Sequence, residues 1–150
     1  MYKHILVPLD GSELAEGAIP HAAELAKAFK ARITLLSVIE PVSVYTQPGV
    51  VGPVVSVSMN MEEEVRNITV YLDSIADKLR REGVDVVRVV REGEAAAQIC
   101  DYAHDSRMDM IVMSTHGRSG LQRIVYGSVA EHVLHHARIP VLLVRVAAKG

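Results

Sequence analysis

The sequence predicts a doubly wound α/β domain, a five-stranded parallel sheet with helices on both faces, and three observations predict it. Short apolar runs alternate with helical patterns along all 150 residues, the order that right-handed crossovers build into a parallel sheet. The runs "ILVPL" and "MIVM" are almost unbroken in apolar character, which suits strands covered on both faces. Apolar residues make up 49% of the chain but aromatic residues only 4%, so the core is built from Val, Ile, Leu and Ala. A chain of this length buries roughly two thirds of its unfolded surface. No internal repeat interrupts it, and one domain over residues 1–150 is expected.

The elements follow in order. The first strand is Ile5–Leu9. Ser12 then offers an N-cap, Glu13 a first-turn acid, and Ala15, Ala18, Ile19, Ala22, Leu25, Ala26 and Phe29 recur at helical spacing. Pro20 inside that pattern removes a backbone donor and predicts a bend. The second strand is Ile33–Ile39. Glu40 to Asn60 breaks the alternation, with one charge at its start, three prolines and valines that keep no helical phase. Such a stretch reads as a surface loop, a subunit contact or a lid. Val65, Ile68, Leu72, Ile75, Ala76 and Leu79 share one face of the next helix, which Gly83 ends, and "EEEVR" before that face reads as a solvated acidic turn. The third strand is Val84–Val90, followed by a helix carrying Ala96, Ile99, Cys100 and Ala103 inward. Met108–Met113 is the fourth strand, Ser128 opens a helix with Val129, Val133 and Ala137 inward, and Pro140–Val146 is the last strand.

Composition excludes several functions. Sixteen basic and 18 acidic residues leave a net charge of −2, so no global field draws the chain to nucleic acid or a membrane. The opening "MYKHILVPLDGSE" reaches Asp10 too soon for a signal peptide or a membrane span. A lone cysteine, Cys100 on an apolar helix face, fits a reducing compartment, and a cytoplasmic protein is expected. Of the seven histidines, His132, His135 and His136 share a helix. No cysteine or carboxylate completes a zinc pattern around them, so no metal site is assigned. Neither a G-x-S-x-G elbow nor a G-x-x-x-x-G-K-[ST] loop occurs, and no catalytic residue is assigned.

Two motifs converge if the first and fourth strands are central neighbours. Ligands of open α/β sheets bind where the winding reverses, beyond the carboxyl ends of the strands. Those ends are Leu9-Asp10-Gly11-Ser12 and Ser114 to Gly117. Gly117 and Gly127 bracket nine residues, and Ser128 stands where a helix start presents unpaired N–H groups to a phosphate. Arg118 adds positive charge, and His116 either touches phosphate or shapes the turn. The same glycines also fit plain strand-to-helix punctuation, and Asp10 fits both a turn and a carboxylate that accepts a hydrogen bond from a ligand.

Over essentially its full length the chain resembles the universal stress proteins. Their nucleotide-binding branch carries G-x2-G-x9-G-[ST], and here that register reads Ser114-x2-Gly117-x9-Gly127-Ser128. The following "VAEHVLHHARIPVLLVR" is similar to the family's closing helix and last strand, and "HILVPLDGSELA" to its first strand with the acidic adenosine-side residue, Asp10. The resemblance implies a Rossmann-like sheet of order 3-2-1-4-5 and a stress-response protein that binds ATP or a relative with Mg or Mn. Pro8, Leu9, Asp10, Val38, Met113, Ser114, His116, Gly117, Arg118, Gly127, Ser128 and Val129 would surround the ligand. The amides of Gly117 and Gly127–Ser128 would seat phosphates, while Asp10 and Val38 would receive ribose and base. It also implies a homodimer through antiparallel pairing of the last strand, with Leu142 and Val144 near the contact. Ser114 departs from the pattern by putting a Cβ where the family's first glycine stands. A branch of the family that binds no nucleotide tends to lose the later glycines, which survive here. The alternatives are a nucleotide-free dimeric module and a slow ATP hydrolase.

Overall fold

A computed structural model describes residues 1–41, 55–115 and 127–146, with side chains omitted for 55–59. Its elements are β1 (His4–Pro8), α1 (Glu13–Glu16), α2 (Ile19–Phe29), β2 (Arg32–Ile39), α3 (Val55–Arg81), β3 (Asp85–Glu92), α4 (Ala95–Asp105), β4 (Met110–Ser114), α5 (Ser128–His136) and β5 (Val141–Val144). The strands form one sheet in the order β3-β2-β1-β4-β5, and every pairing is parallel.

The period-2 alternation of strand side chains sorts the core into two layers. Ile5 and Val7 of β1 with Ile33 and Leu35 of β2 face α1, α2 and α3, meeting Ala15, Ala22, Ala26, Leu72 and Ala76. Leu6, Leu36 and Ile111 face the other way, against Ile99 and Ala103 of α4 and Val133 of α5. Ile5, Leu6 and Val7 are all 0% exposed, which is why β1 reads as an unbroken apolar run.

Two helices depart from the sequence expectation, and the last strand, expected over Pro140–Val146, spans Val141–Val144. The first helical stretch is not one bent helix but two, parted at Gly17–Ala18. Pro20 lies in the first turn of α2, where a missing N–H leaves no bond unmade. α3 begins at Val55, so the end of the Glu40–Asn60 stretch is helical and only its middle, 42–54, lies outside the described residues. Valine and serine are weak helix formers, and their positions before Val65 hid the extra turns.

The start of β1 is pinned by a side chain. The Asp109 carboxylate accepts the N–H groups of Lys3 (2.8 Å) and His4 (2.9 Å), while its own N–H donates to the His4 carbonyl. The Lys3 N–H is the largest influence and the His4 N–H adds to it; together they hold the Asp109 carboxyl below the usual carboxylate range, against an opposing push from burial. Because the folded value is depressed, the stabilisation is present above the ordinary Asp value and lost as pH falls through the folded one. Acid titration of unfolding should therefore show a steeper loss below about pH 4 for wild type than for Asp109→Asn; parallel curves would refute this.

The two sheet edges differ. β3 carries Arg88, paired with Asp73 at 2.6 Å, and Arg91, stacked 5.1 Å over the Tyr102 ring. β5, "VLLV", has no charged residue, and Leu142 on it is 38% exposed. Among the described residues no helix is long and apolar enough to cross a membrane.

Candidate functional site

Among the described residues the backbone at the carboxyl end of β1 is held by β2. The Leu9 N–H donates to the Leu36 carbonyl (2.8 Å), and the Ser37 hydroxyl donates to the Leu9 carbonyl (2.8 Å). Since Leu9 directs its backbone to β2, its neighbour Pro8 directs its nitrogen to β4, and proline has no N–H to give. The β1–β4 register runs only through Ile5–Met110 and Leu6–Ile111. The central strands thus part at Pro8, where the winding reverses. A proline in a central strand is a rare placement, and it is the sequence signal for this crevice that element-by-element reading passes over.

Asp10 emerges on one wall. Its Oδ1 accepts from the Ser12 N–H (2.9 Å) and the Ser12 hydroxyl (2.6 Å), and the Ser12 Oγ accepts from Ala15 N–H (3.2 Å) to cap α1. Gly11 sits at φ +85°, in the left-handed region that glycine enters without strain. The turn-making reading of Asp10 therefore holds. Behind it, the Tyr71 hydroxyl of α3 is buried without a partner at hydrogen-bond geometry among the described residues. Burial first, then the Glu16 carboxylate and the charge of Asp10, push its pKa well above the ordinary tyrosine value. Glu16 acts on it without meeting it at hydrogen-bond geometry.

The other wall is the exit of β4. Met113, Ser114 and Thr115 are buried. The Thr115 N–H donates to the Val144 carbonyl (3.0 Å), and its carbonyl accepts the Gly127 N–H (2.8 Å). That last bond brings the two ends of the glycine motif together and fixes the start of α5 beside Ser114. It also corrects one expectation, because the Gly127 amide is committed to Thr115 and is not a free phosphate donor. Gly127 has φ −52° and ψ 150°, a conformation open to any residue, so its glycine is not required by φ.

Three helix starts lie near these strand ends, and their caps differ. α1 is capped by Ser12. α4 is closed by carboxylates: Glu94 accepts from the N–H groups of Ala96 (3.2 Å) and Ala97 (2.8 Å), and Glu40 from that of Ala95 (3.1 Å). α5 has Gly127 as its N-cap and no side-chain cap. Among the described residues no side chain caps the amides of Ser128 and Val129 at this helix start.

The remaining expected residues divide. Pro8 and Leu9 are buried at the end of β1, and Val38 and Val129 are partly buried against the α4–α5 layer that also contains Met113. His116, Gly117 and Arg118 lie outside the described residues. The Cys100 thiol has its pKa raised, by burial first and then by Asp101 and Glu94, which leaves it a poor nucleophile. The His132 and His136 rings stack at 4.1 Å. Among the described residues no group of three or more His, Cys, Asp or Glu side chains could hold a metal ion.

A second concavity, about 500 Å³, opens at the opposite ends of the strands and is lined by Lys3, His4, Lys27, Lys30 and Arg32. Its cations are largely spent within the chain. Lys3 Nζ donates to the Phe29 carbonyl (3.1 Å) at the end of α2, Lys27 pairs with Glu24 and Glu82, and Arg32 pairs with Asp85. Cations at helix C-termini answer the helix dipole, which accounts for the cluster without a ligand.

The family model for the universal stress proteins matches residues 1–145. The chain is 34% identical over 149 residues to universal stress protein MJ0531 of Methanocaldococcus jannaschii, covering 99% of this chain and 85% of that one. It is 33% identical over 160 residues to MJ0577 of the same organism, covering 97% and 96%. The solved structure of MJ0577 superposes with a TM-score of 0.84, covering 99% of each chain. The universal stress protein of Archaeoglobus fulgidus in complex with dAMP shares the fold at 22% identity and a TM-score of 0.68, covering 95% of this chain and 97% of that one. The sheet order, the parting of its central strands and these likenesses agree: the chain belongs to the universal stress protein family.

Proposed function

We propose that this protein binds an adenine nucleotide of the ATP type in the crevice between β1 and β4 and acts as a small regulatory protein of the stress response. The observation that carries the reading is the start of α5, uncapped by any side chain among the described residues and held beside Ser114 by the Gly127–Thr115 bond. A helix start with free amides is a seat for phosphate, and of the three nearby it alone lacks a side-chain cap among the described residues. The carboxylates of Glu40 and Glu94 disfavour phosphate at α4 and direct the polyphosphate away from it. Ser128 and Val129 would supply the amides, with Gly117 and Arg118 on the loop between. Asp10, Pro8, Leu9, Val38 and Met113 would line the nucleoside end. The dAMP carried by the Archaeoglobus fulgidus relative supports an adenine ligand. With no cluster of metal-binding side chains among the described residues, a magnesium or manganese ion would be held chiefly by the phosphates. Purified protein should release an adenine nucleotide on denaturation, and calorimetry should show saturable binding of ATP with magnesium. Protein that carries no nucleotide and gives no heat would reject the site.

The same reading includes a cytoplasmic two-fold dimer through β5. The Pro140 and Val144 carbonyls accept bonds from β4, so the alternate residues Val141 and Leu143 turn their backbone groups to the open edge. Val144 is 8% exposed and packs inward, which leaves Leu142 as the side chain at the contact. Leu143→Pro removes an outward donor while leaving the bonds to β4 in place. Light scattering should find it monomeric or aggregated; a stable dimer would contradict the pairing.

A further inference from the structure

The geometry points to Val146 and Gly17 as positioning residues for Asp10, with the end of β5 acting as a tie between the two walls of the crevice. This inference rests on the nucleotide reading above. The tie begins at Val144, whose carbonyl accepts the Thr115 N–H (3.0 Å) and so holds the wall that leads to α5. Two residues later, partly buried Val146 packs on the same core layer as the Val144 side chain, the layer that holds α1 and its neighbours. A Cβ on Gly17 would clash with Val146 Cγ2 and lie 3.2 Å from the Leu14 carbonyl. Gly17 itself has φ −57° and ψ −21°, an ordinary helical conformation, so the turn does not require glycine; the approach of Val146 does. α1 spans only Glu13–Glu16, too short to hold its own geometry. Its start is Ser12, the residue that holds Asp10 Oδ1 through both N–H and hydroxyl. A push at Gly17 is therefore passed through one turn of helix to the carboxylate. Because β5 is also the bare edge strand, whatever seats on that edge acts on both walls at once.

The test is a mutant cycle of Gly17→Ala, Val146→Ala and the double variant, read by ATP–magnesium calorimetry and by amide exchange at Ser12. Gly17→Ala should weaken ATP at least tenfold and speed Ser12 exchange, because the new methyl displaces Val146. Val146→Ala should weaken ATP about threefold. The double variant should return to within about threefold of wild type, since the methyl introduced at position 17 takes the room that Val146 gives up. A purely structural contact would lower the melting temperature and leave both ATP affinity and Ser12 exchange unchanged, and that result overturns the inference. So does a double variant no better than Gly17→Ala alone. Should Gly17→Ala fail to fold, Val146→Ala alone decides by the same two readouts. If wild type binds no nucleotide, the functional reading fails separately, and Ser12 exchange across the cycle still decides whether the tie reaches Asp10.

Discussion

Gly127→Asp is expected to raise the melting temperature and at the same time abolish useful nucleotide binding. Gly127 is the N-cap of α5, at φ −52° and ψ 150°, backbone angles that aspartate adopts without strain. Its carboxylate would accept the N–H of Val129 or Ala130 and place a negative charge at the positive end of the helix. A cap of this kind stabilises by about 0.5–1 kcal/mol over glycine, or a rise of about 2 °C in a protein of this size. The same carboxylate would occupy the seat proposed for phosphate. Affinity for ATP should fall at least a hundredfold, about 2.7 kcal/mol. Gly127→Val adds bulk but no cap, and should weaken binding about tenfold without stabilising the protein. Opposite signs for stability and affinity in one variant separate a ligand seat from a structural helix start. Wild-type affinity in Gly127→Asp would remove α5 from the site.

Ile111→Ala is expected to cost about 3–4 kcal/mol of unfolding free energy. Ile111 is 0% exposed, pairs with Leu6 of β1 at the last rung before the strands part, and packs with Leu6, Leu36, Ile99 and Val133. The layer around it is held on one side by the sheet and on the other by α4 and α5, so it has little room to collapse into the cavity. Against a total stability of roughly 5–15 kcal/mol, the loss is large. Urea unfolding should show a lower midpoint with an unchanged slope. Leu142→Ala, on the exposed edge, should change the monomer by no more than about 0.5 kcal/mol. An Ile111→Ala loss under about 1 kcal/mol would show that this layer is not closely packed.

Most of the fold was legible because its strands are nearly pure apolar runs and its helices keep one face. Ile5, Leu6 and Val7 announce a strand buried on both sides, and Ala22, Ala26, Leu72 and Ala76 mark the helix faces that cover it. The strand order 3-2-1-4-5 came from family resemblance, since pairing is set by contacts far apart in sequence. The divided first helix was missed because Ala15, Ala18, Ala22 and Ala26 keep helical phase across the break. At the break the Gly17 and Ala18 N–H groups donate to carbonyls three residues back, those of Leu14 and Ala15 (3.2 Å each), a tightening of the turn that side-chain spacing does not reveal. Asp10 follows β1 and Ser128 opens α5, the positions in the fold that spacing predicted. The commitment of the Gly127 amide to Thr115 and the closure of α4 by Glu40 and Glu94 were not legible. Glutamate is not a favoured N-cap residue, and Glu40 reaches α4 from the end of a different strand.

The unlike edges of the sheet have a consequence for how far association can run. With β3 guarded by Arg88 and Arg91 and β5 carrying no charge, the dimer proposed above would give the protein a valence of one for strand pairing. An edge that joins its own copy by a two-fold axis is used up in the act, and no second sticky edge remains to recruit a third chain. Neutralising both arginines would give the sheet two such edges, and growth would no longer terminate itself.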